Sequence, residues 1–294
     1  MTTMPVVVAT DGSEESLHAV EWAAMEAVRH GAPLRIVSAP TMPPGMRAYD
    51  GPPRTVAGAL RDQSTRALSE AITRAAEVTT GLLVDTDLLA GPPALAVTDS
   101  GAGALMLVVG ARGAGGFAAM VLGSVSRYSA MHARCPVVVV RQETSDVTRE
   151  VAVGIRDPHD ATGTLAFAFE EAALRGATLV AVHTCYSYPP VLRGLRTSPA
   201  TGRAAADAER VSAQASRDLA DALARWRDKF PAVPVRLDVV DGHPARTLAS
   251  YSARAGLVVI GRHGAPGGGS AIGAIQHAVL HCARGPVVVV PSEG

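Results

Sequence analysis

The sequence predicts an α/β protein built from two tandem doubly wound domains, each a five-stranded parallel sheet in the order 3-2-1-4-5 flanked by helices. Three observations lead there. The chain repeats itself in order along its length. Each repeat alternates short, uniformly apolar runs with segments of helical period, the pattern of strands covered on both faces. The 294 residues exceed the roughly 100–200 typical of one domain.

The repeat rests on five matches. Val6–Gly12 aligns with Val151–Asp157, Gly31–Val37 with Gly176–Val182, Gly91–Ala94 with Gly242–Ala245, Leu107–Gly110 with Val258–Gly261, and Pro136–Val140 with Pro286–Val290. Insertions and deletions fall only between the matches, which marks a duplication. The polar run Arg141–Thr148 reads as the linker, placing the domains at 1–142 and 149–294.

In the first copy, Val6–Ala9 is the opening strand. Ser13 offers an N-cap with Glu14 and Glu15 in the first turn, Leu17, Val20, Ala24 and Ala27 follow at helical spacing, and Gly31 closes the helix. Leu34–Val37 is the second strand. Thr41–Pro53, rich in Pro and Gly, is a loop, and a long helix runs from about Arg54 to Thr79. Strand Leu82–Leu89, helix Ala94–Ser100 and strand Leu105–Val109 come next. A glycine-rich loop, a helix over Ser124–Ala133 and a closing strand Pro136–Val140 complete the copy. Parallel neighbours require right-handed crossovers. The two Pro-Val-Val-Val-Val strands are apolar edges, and we expect Val137–Val140 to pair antiparallel with Val287–Val290 as an internal pseudo-dimer.

Composition excludes several classes. Lys+Arg and Asp+Glu are 27 each, so no net field draws the chain to nucleic acid or anionic lipid, and Lys229 is the only lysine. Cys135, Cys185 and Cys282 are too few for a disulfide framework. The amino-terminal residues lack a basic n-region, and no run reaches the roughly 18 apolar residues of a membrane span. A cytoplasmic protein is expected.

Ligands of doubly wound sheets bind beyond the strand carboxyl ends, where the strand order reverses. Here that crevice would join Thr10-Asp11-Gly12-Ser13, after strand one, to Gly110–Ser126, after strand four. Gly110 and Gly113 admit main-chain N–H groups close to an anion, and Gly123-Ser124 opens a helix whose N-terminus suits phosphate. Ser124 and Ser126 add hydroxyls, and Asp11 offers an acceptor for a ribose hydroxyl or a base amino group. Any one of these alone is more often an ordinary turn or cap; their convergence on one crevice points to a nucleotide.

The spacing Gly110-x2-Gly113-x9-Gly123-Ser124, the opening Val-Val-Val-Ala-Thr-Asp-Gly-Ser and the closing Cys-Pro-Val-Val-Val-Val resemble the universal stress protein family across both halves. The resemblance implies an ATP-binding regulatory or sensor module in stress responses, not an enzyme. Carried over by position, Asp11 would contact the adenosine, with Ala9 beneath it, and the backbone near Ala39 would hold the adenine edge. Gly110, Arg112 and Gly113 would line the ribose and phosphate region. Gly123, Ser124, Val125 and Ser126 would hold the phosphates, with Mg2+ as a bridging ion. Partner proteins would read the Thr41–Pro53 and Gly113–Leu122 loops, and association of two whole chains stays open.

The second copy departs from this pattern. Gly261 and Gly264 persist, but Gly273 is followed by Ala274-Ile275-Gln276, and Arg156 stands where Asp11 stands in the first. A guanidinium accepts no hydrogen bond, so a weakened or lost site is expected there.

Other chemistry finds little support. No Gly-x4-Gly-Lys-Ser/Thr, dinucleotide fingerprint or Gly-x-Ser-x-Gly occurs, and Gly110–Ser126 holds no His or Glu to serve as a base. A slow ATP hydrolase, an ATP pyrophosphatase-like enzyme and a nucleotide-free scaffold remain as alternatives. His277 and His281 lie four apart beside Cys282, but without a fourth ligand no metal is assigned. Arg193, Arg196 and Arg203 read as a solvated face, and Trp22 and Trp226 as core.

Overall fold

The computed structural model describes residues 4–41, 56–113, 122–141, 148–157, 161–185, 200–262 and 273–292. The interiors of the Thr41–Pro53 and Gly113–Leu122 loops, most of the Arg141–Thr148 run, and Arg193, Arg196 and Gly264 lie outside the described residues.

The first half runs β1 (Val6–Ala9), α1 (Glu14–His30), β2 (Leu34–Ser38), α2 (Val56–Val78), β3 (Val84–Leu88), α3 (Pro93–Ser100), β4 (Met106–Gly110), α4 (Ser124–His132) and β5 (Val137–Val140). The second runs β6 (Thr148–Gly154), α5 (Thr162–Arg175), β7 (Thr178–Cys185), α6 (Ala200–Lys229), β8 (Val235–Asp241), α7 (Pro244–Ser252), β9 (Ala255–Gly261), α8 (Ala274–Cys282) and β10 (Val287–Val290). β6 begins inside the run read as linker. Its register with β9 shifts between Thr148 and Val151, so the polar Thr148-Arg149-Glu150 segment enters the sheet through an irregularity.

All ten strands form one sheet, ordered β3-β2-β1-β4-β5-β10-β9-β6-β7-β8. Within each half the order is 3-2-1-4-5 and the pairing is parallel. The halves meet where β5 and β10 pair antiparallel, with Val138 opposite Val288 at the centre.

Strand alternation divides the core into two layers. Val6, Val8, Val138, Val140, Val288 and Val290 face one layer, packed under α1, α2, α5 and α6 by Leu17, Leu68, Leu165 and Leu223. Val7, Val137, Val139, Val287 and Val289 face the other, covered from α3, α4, α7 and α8 by Val97, Ala130, Leu248 and Leu280. Burial on both faces is why these runs show no polar alternation. Ser13 caps α1, its Oγ accepting from the Ser16 N–H, and Gly31 ends the helix in the left-handed region at φ +60°.

The sequence reading missed a buried charged cluster where α1 meets α5. Glu26 and Glu171 occupy the same position in the two copies and are 2% and 1% exposed. Arg175 bridges them, donating to Glu26 Oε1 at 2.7 Å and pairing with Glu171, while Arg29 pairs with Glu26. His30 Nε2 lies 3.0 Å from Glu171 Oε1. Two carboxylates thus face two guanidiniums, which is the balance buried charges require.

Candidate functional site

The first-half crevice starts from a hydrogen-bonded turn. Thr10 is buried after β1, and its Oγ1 lies 3.0 Å from Ser16 Oγ. The Gly12 N–H donates to Thr10 Oγ1 at 3.1 Å, and the Asp11 N–H to Ser16 Oγ at 3.3 Å. Gly12 sits at φ +81° with Ala67 of α2 so close that an added Cβ would lie 3.2 Å from its Cβ, so both dihedral and space call for glycine. The turn holds Asp11 outward. Its Oδ1 accepts from the Ser13 N–H at 3.0 Å and the Ser13 hydroxyl at 2.6 Å.

Asp11 Oδ2 reaches Gly113, where a Cβ would stand only 2.3 Å from it. The end of β1 and the loop after β4 therefore converge. The start of α4 joins them through the Gly123 N–H, which donates to the Ala111 carbonyl at 2.7 Å. Ser124 is exposed as the first helical residue, and among the described residues no side chain caps α4. Among the described residues no acceptor is recorded for the N–H groups of Ser124, Val125 and Ser126, which form the positive end of the helix.

Several expected contacts take other forms. Ser126 is 3% exposed and donates its hydroxyl to the Gly110 carbonyl at 2.6 Å, so it tethers α4 to β4 instead of presenting a donor to a phosphate. Gly110 is buried, and its missing side chain makes room for the first turn of α1: a Cβ would lie 2.9 Å from the Glu15 carbonyl oxygen. Its missing side chain therefore serves the packing of α1 on β4. The N–H of Gly123 is spent on Ala111. Arg112 is exposed, with Nη2 3.0 Å from Glu15 Oε1 across the crevice mouth. Ala9, Ala39 and Val125 are partly buried and pack on the second core layer.

In the second half, Gln276 takes the place of Ser126 and donates from Nε2 to the Gly261 carbonyl at 3.1 Å. The tether survives a change of residue type, while Arg156 and Asp157 are exposed where Asp11 and Gly12 stand in the first half. Cys135 is buried, and that burial pushes its thiol up to about 11. Cys185 is likewise raised, by burial and then by Asp241, whereas Cys282 is exposed. No helix among the described residues is long and apolar enough to cross a membrane.

A sheet order that reverses between β1 and β4, with a carboxylate, a glycine loop and a helix N-terminus at the reversal, defines a doubly wound α/β protein with a switch-point crevice in its first half. Known proteins make the assignment specific. The model of the universal stress protein family matches residues 2–141 and again 148–291. Universal stress protein Rv2005c of Mycobacterium tuberculosis is 35% identical over 298 residues, covering 97% of this chain and 96% of that protein. A universal stress protein of Mycolicibacterium smegmatis is 32% identical over 98% of this chain and 97% of its own length. The crystal structure of a universal stress protein from Archaeoglobus fulgidus shares the fold, with a TM-score of 0.69 at 16% identity over 98% of this chain and 96% of that one. The chain belongs to the universal stress protein family, as a tandem member.

Proposed function

We propose that the first half binds ATP and that the protein is a regulatory module of stress responses in the cytoplasm, with nucleotide occupancy as its signal. The domains are 1–142, which carries the site, and 149–294, which serves as its internal dimer partner through Val137–Val140 and Val287–Val290. The observation that carries the reading is the approach of Asp11 to Gly113 beside the uncapped start of α4. A carboxylate for the nucleoside and main-chain amides for phosphate lie on one crevice. These residues fit the nucleotide: the missing side chain of Gly113 lets the Asp11 carboxylate approach the loop main chain, and among the described residues no side chain caps the helix end. Mg2+ fits as an ion carried on the phosphates, because of the described carboxylates at the mouth Glu15 is engaged by Arg112 and Asp11 accepts from Ser13.

The reading separates roles for the two serines. Ser124→Ala should weaken ATP binding by about 1–2 kcal/mol, one charge-assisted hydrogen bond. Ser126→Ala should lower stability and leave affinity within about twofold, since its hydroxyl serves Gly110. The deciding experiment heats the purified protein, identifies any released small molecule by mass spectrometry, and follows added ATP. ATP retained by the native chain and lost in Asp11→Ala supports the proposal. Sustained ADP or AMP formation over many turnovers replaces the regulatory reading with an enzyme, and an empty chain without affinity for ATP overturns it.

A further inference from the structure

Two groups of side chains outside the crevice have the composition of a metal site. Glu26, His30 and Glu171 place one ligand atom each within 4.8 Å of one another. That trio is already neutralised: Arg29 and Arg175 pair with its carboxylates, and a dication there would bury two surplus positive charges.

The second group is on α8. His277 and His281 stand one turn apart with ring centroids 4.2 Å apart, and their Nε2 atoms approach to 3.1 Å. Two neutral imidazoles make this contact only as opposite tautomers, one donating and the other accepting. When the donating ring shifts its proton from Nε2 to Nδ1, both Nε2 lone pairs become available to one metal ion with no net loss of a proton. With metal–nitrogen bonds of about 2.1 Å, the observed separation subtends an angle of roughly 95° at the ion, closer to a square or octahedral corner than to a tetrahedral one. Late first-row dications accept imidazole nitrogen at that angle, copper(II) most strongly.

We propose that His277 and His281 form a two-imidazole chelate on the surface of α8 for a late first-row divalent metal ion, with water completing its coordination. With Nε2 binding the metal through its lone pair, each neutral histidine carries its proton on Nδ1. The charged groups bearing on the pair are Arg127 from α4 and Arg141 after β5, both of which act on His281. Arg141 is also bound to the Leu280 and His281 carbonyls at the end of α8. Their positive charge opposes a dication, screened by solvent at this partly exposed site. The chelate is independent of the nucleotide crevice and stands or falls without it.

The test is calorimetric titration of the tag-free full chain, without nucleotide, with copper(II) and separately with zinc(II). One site per chain is expected, tighter for copper. His277→Ala and His281→Ala should each weaken it by at least about tenfold, whereas His132→Ala on the neighbouring helix should not. Arg127→Gln should tighten it, a gain that a purely structural histidine pair does not produce. Asn at either histidine position provides a second, less disruptive variant, and circular dichroism establishes that each variant is folded. Copper binding that persists in the double variant, or no one-site binding by the native chain, overturns the proposal.

Discussion

Replacing Gly110 with alanine separates a glycine that serves the fold from one in the proposed nucleotide site. The added methyl would lie 2.9 Å from the Glu15 carbonyl oxygen, 3.0 Å from its carbon and 3.2 Å from the Ser16 nitrogen. All three atoms belong to the backbone of the first turn of α1, so no side chain can rotate away. The helix must retreat from the sheet, loosening Leu17 and Val20 above β1 and β4. Overpacking of this kind costs about 1–3 kcal/mol, and the backbone obstruction argues for the upper part of that range. A gain of about 0.5–1 kcal/mol from reduced chain entropy offsets part of it. A net loss of about 2 kcal/mol corresponds to a fall in melting temperature of roughly 4–8 °C for a unit of this size. The two tryptophans sit one in each half, so fluorescence melting in a Trp226→Phe background reads Trp22 and hence the first half. Gly113→Ala is the contrast. Its methyl meets Asp11 Oδ2 at 2.3 Å, the end of a short exposed side chain that can swing aside. It should cost less than about 1 kcal/mol of stability and abolish ATP retention. An unchanged midpoint for Gly110→Ala, or a larger loss for Gly113→Ala, would refute the division of labour.

Two further outcomes follow from buried groups. Arg175→Ala leaves Glu171 without a guanidinium and Glu26 with Arg29 alone, and should destabilise the chain by about 3 kcal/mol in urea unfolding, with Arg175→Met no better. In alkylation by iodoacetamide, thiolate is the reacting form. Because burial raises Cys135 to about 11, it stays protonated from neutral pH to about pH 10 and should label only on unfolding, while exposed Cys282 labels first; peptide mass mapping distinguishes them.

Strand and helix positions were legible because the apolar runs and caps are local. Val6–Ala9, Ser13 and Gly31 needed no tertiary information, and the meeting of Asp11 with Gly113 followed from strand order alone. Roles that depend on direction were not legible. Ser126 reads as a phosphate donor in a glycine-serine motif, yet its place on the inner face of α4 turns the hydroxyl toward Gly110. The signal was in the repeat: Gln276, a residue of different size that can also donate a hydrogen bond, holds the equivalent carbonyl. Glu26 and Glu171 were hidden for a similar reason, since a glutamate among helical charges looks solvated until the facing helix is placed. Their recurrence at one position of both copies was the available clue. The shift of β6 into the polar run escaped because Thr148–Glu150 lacks the valine signature of the other inner strands.

Covalent fusion makes each copy the permanent neighbour of the other across the β5–β10 valine seam, at fixed one-to-one stoichiometry and an effective concentration set by the connection between them. A separate subunit must keep every surface that assembly and ligand both demand. A fused copy must keep only its seam. The two halves accordingly differ at Asp11 and Arg156 beside the crevice and are identical in the Pro-Val-Val-Val-Val runs that close the sheet.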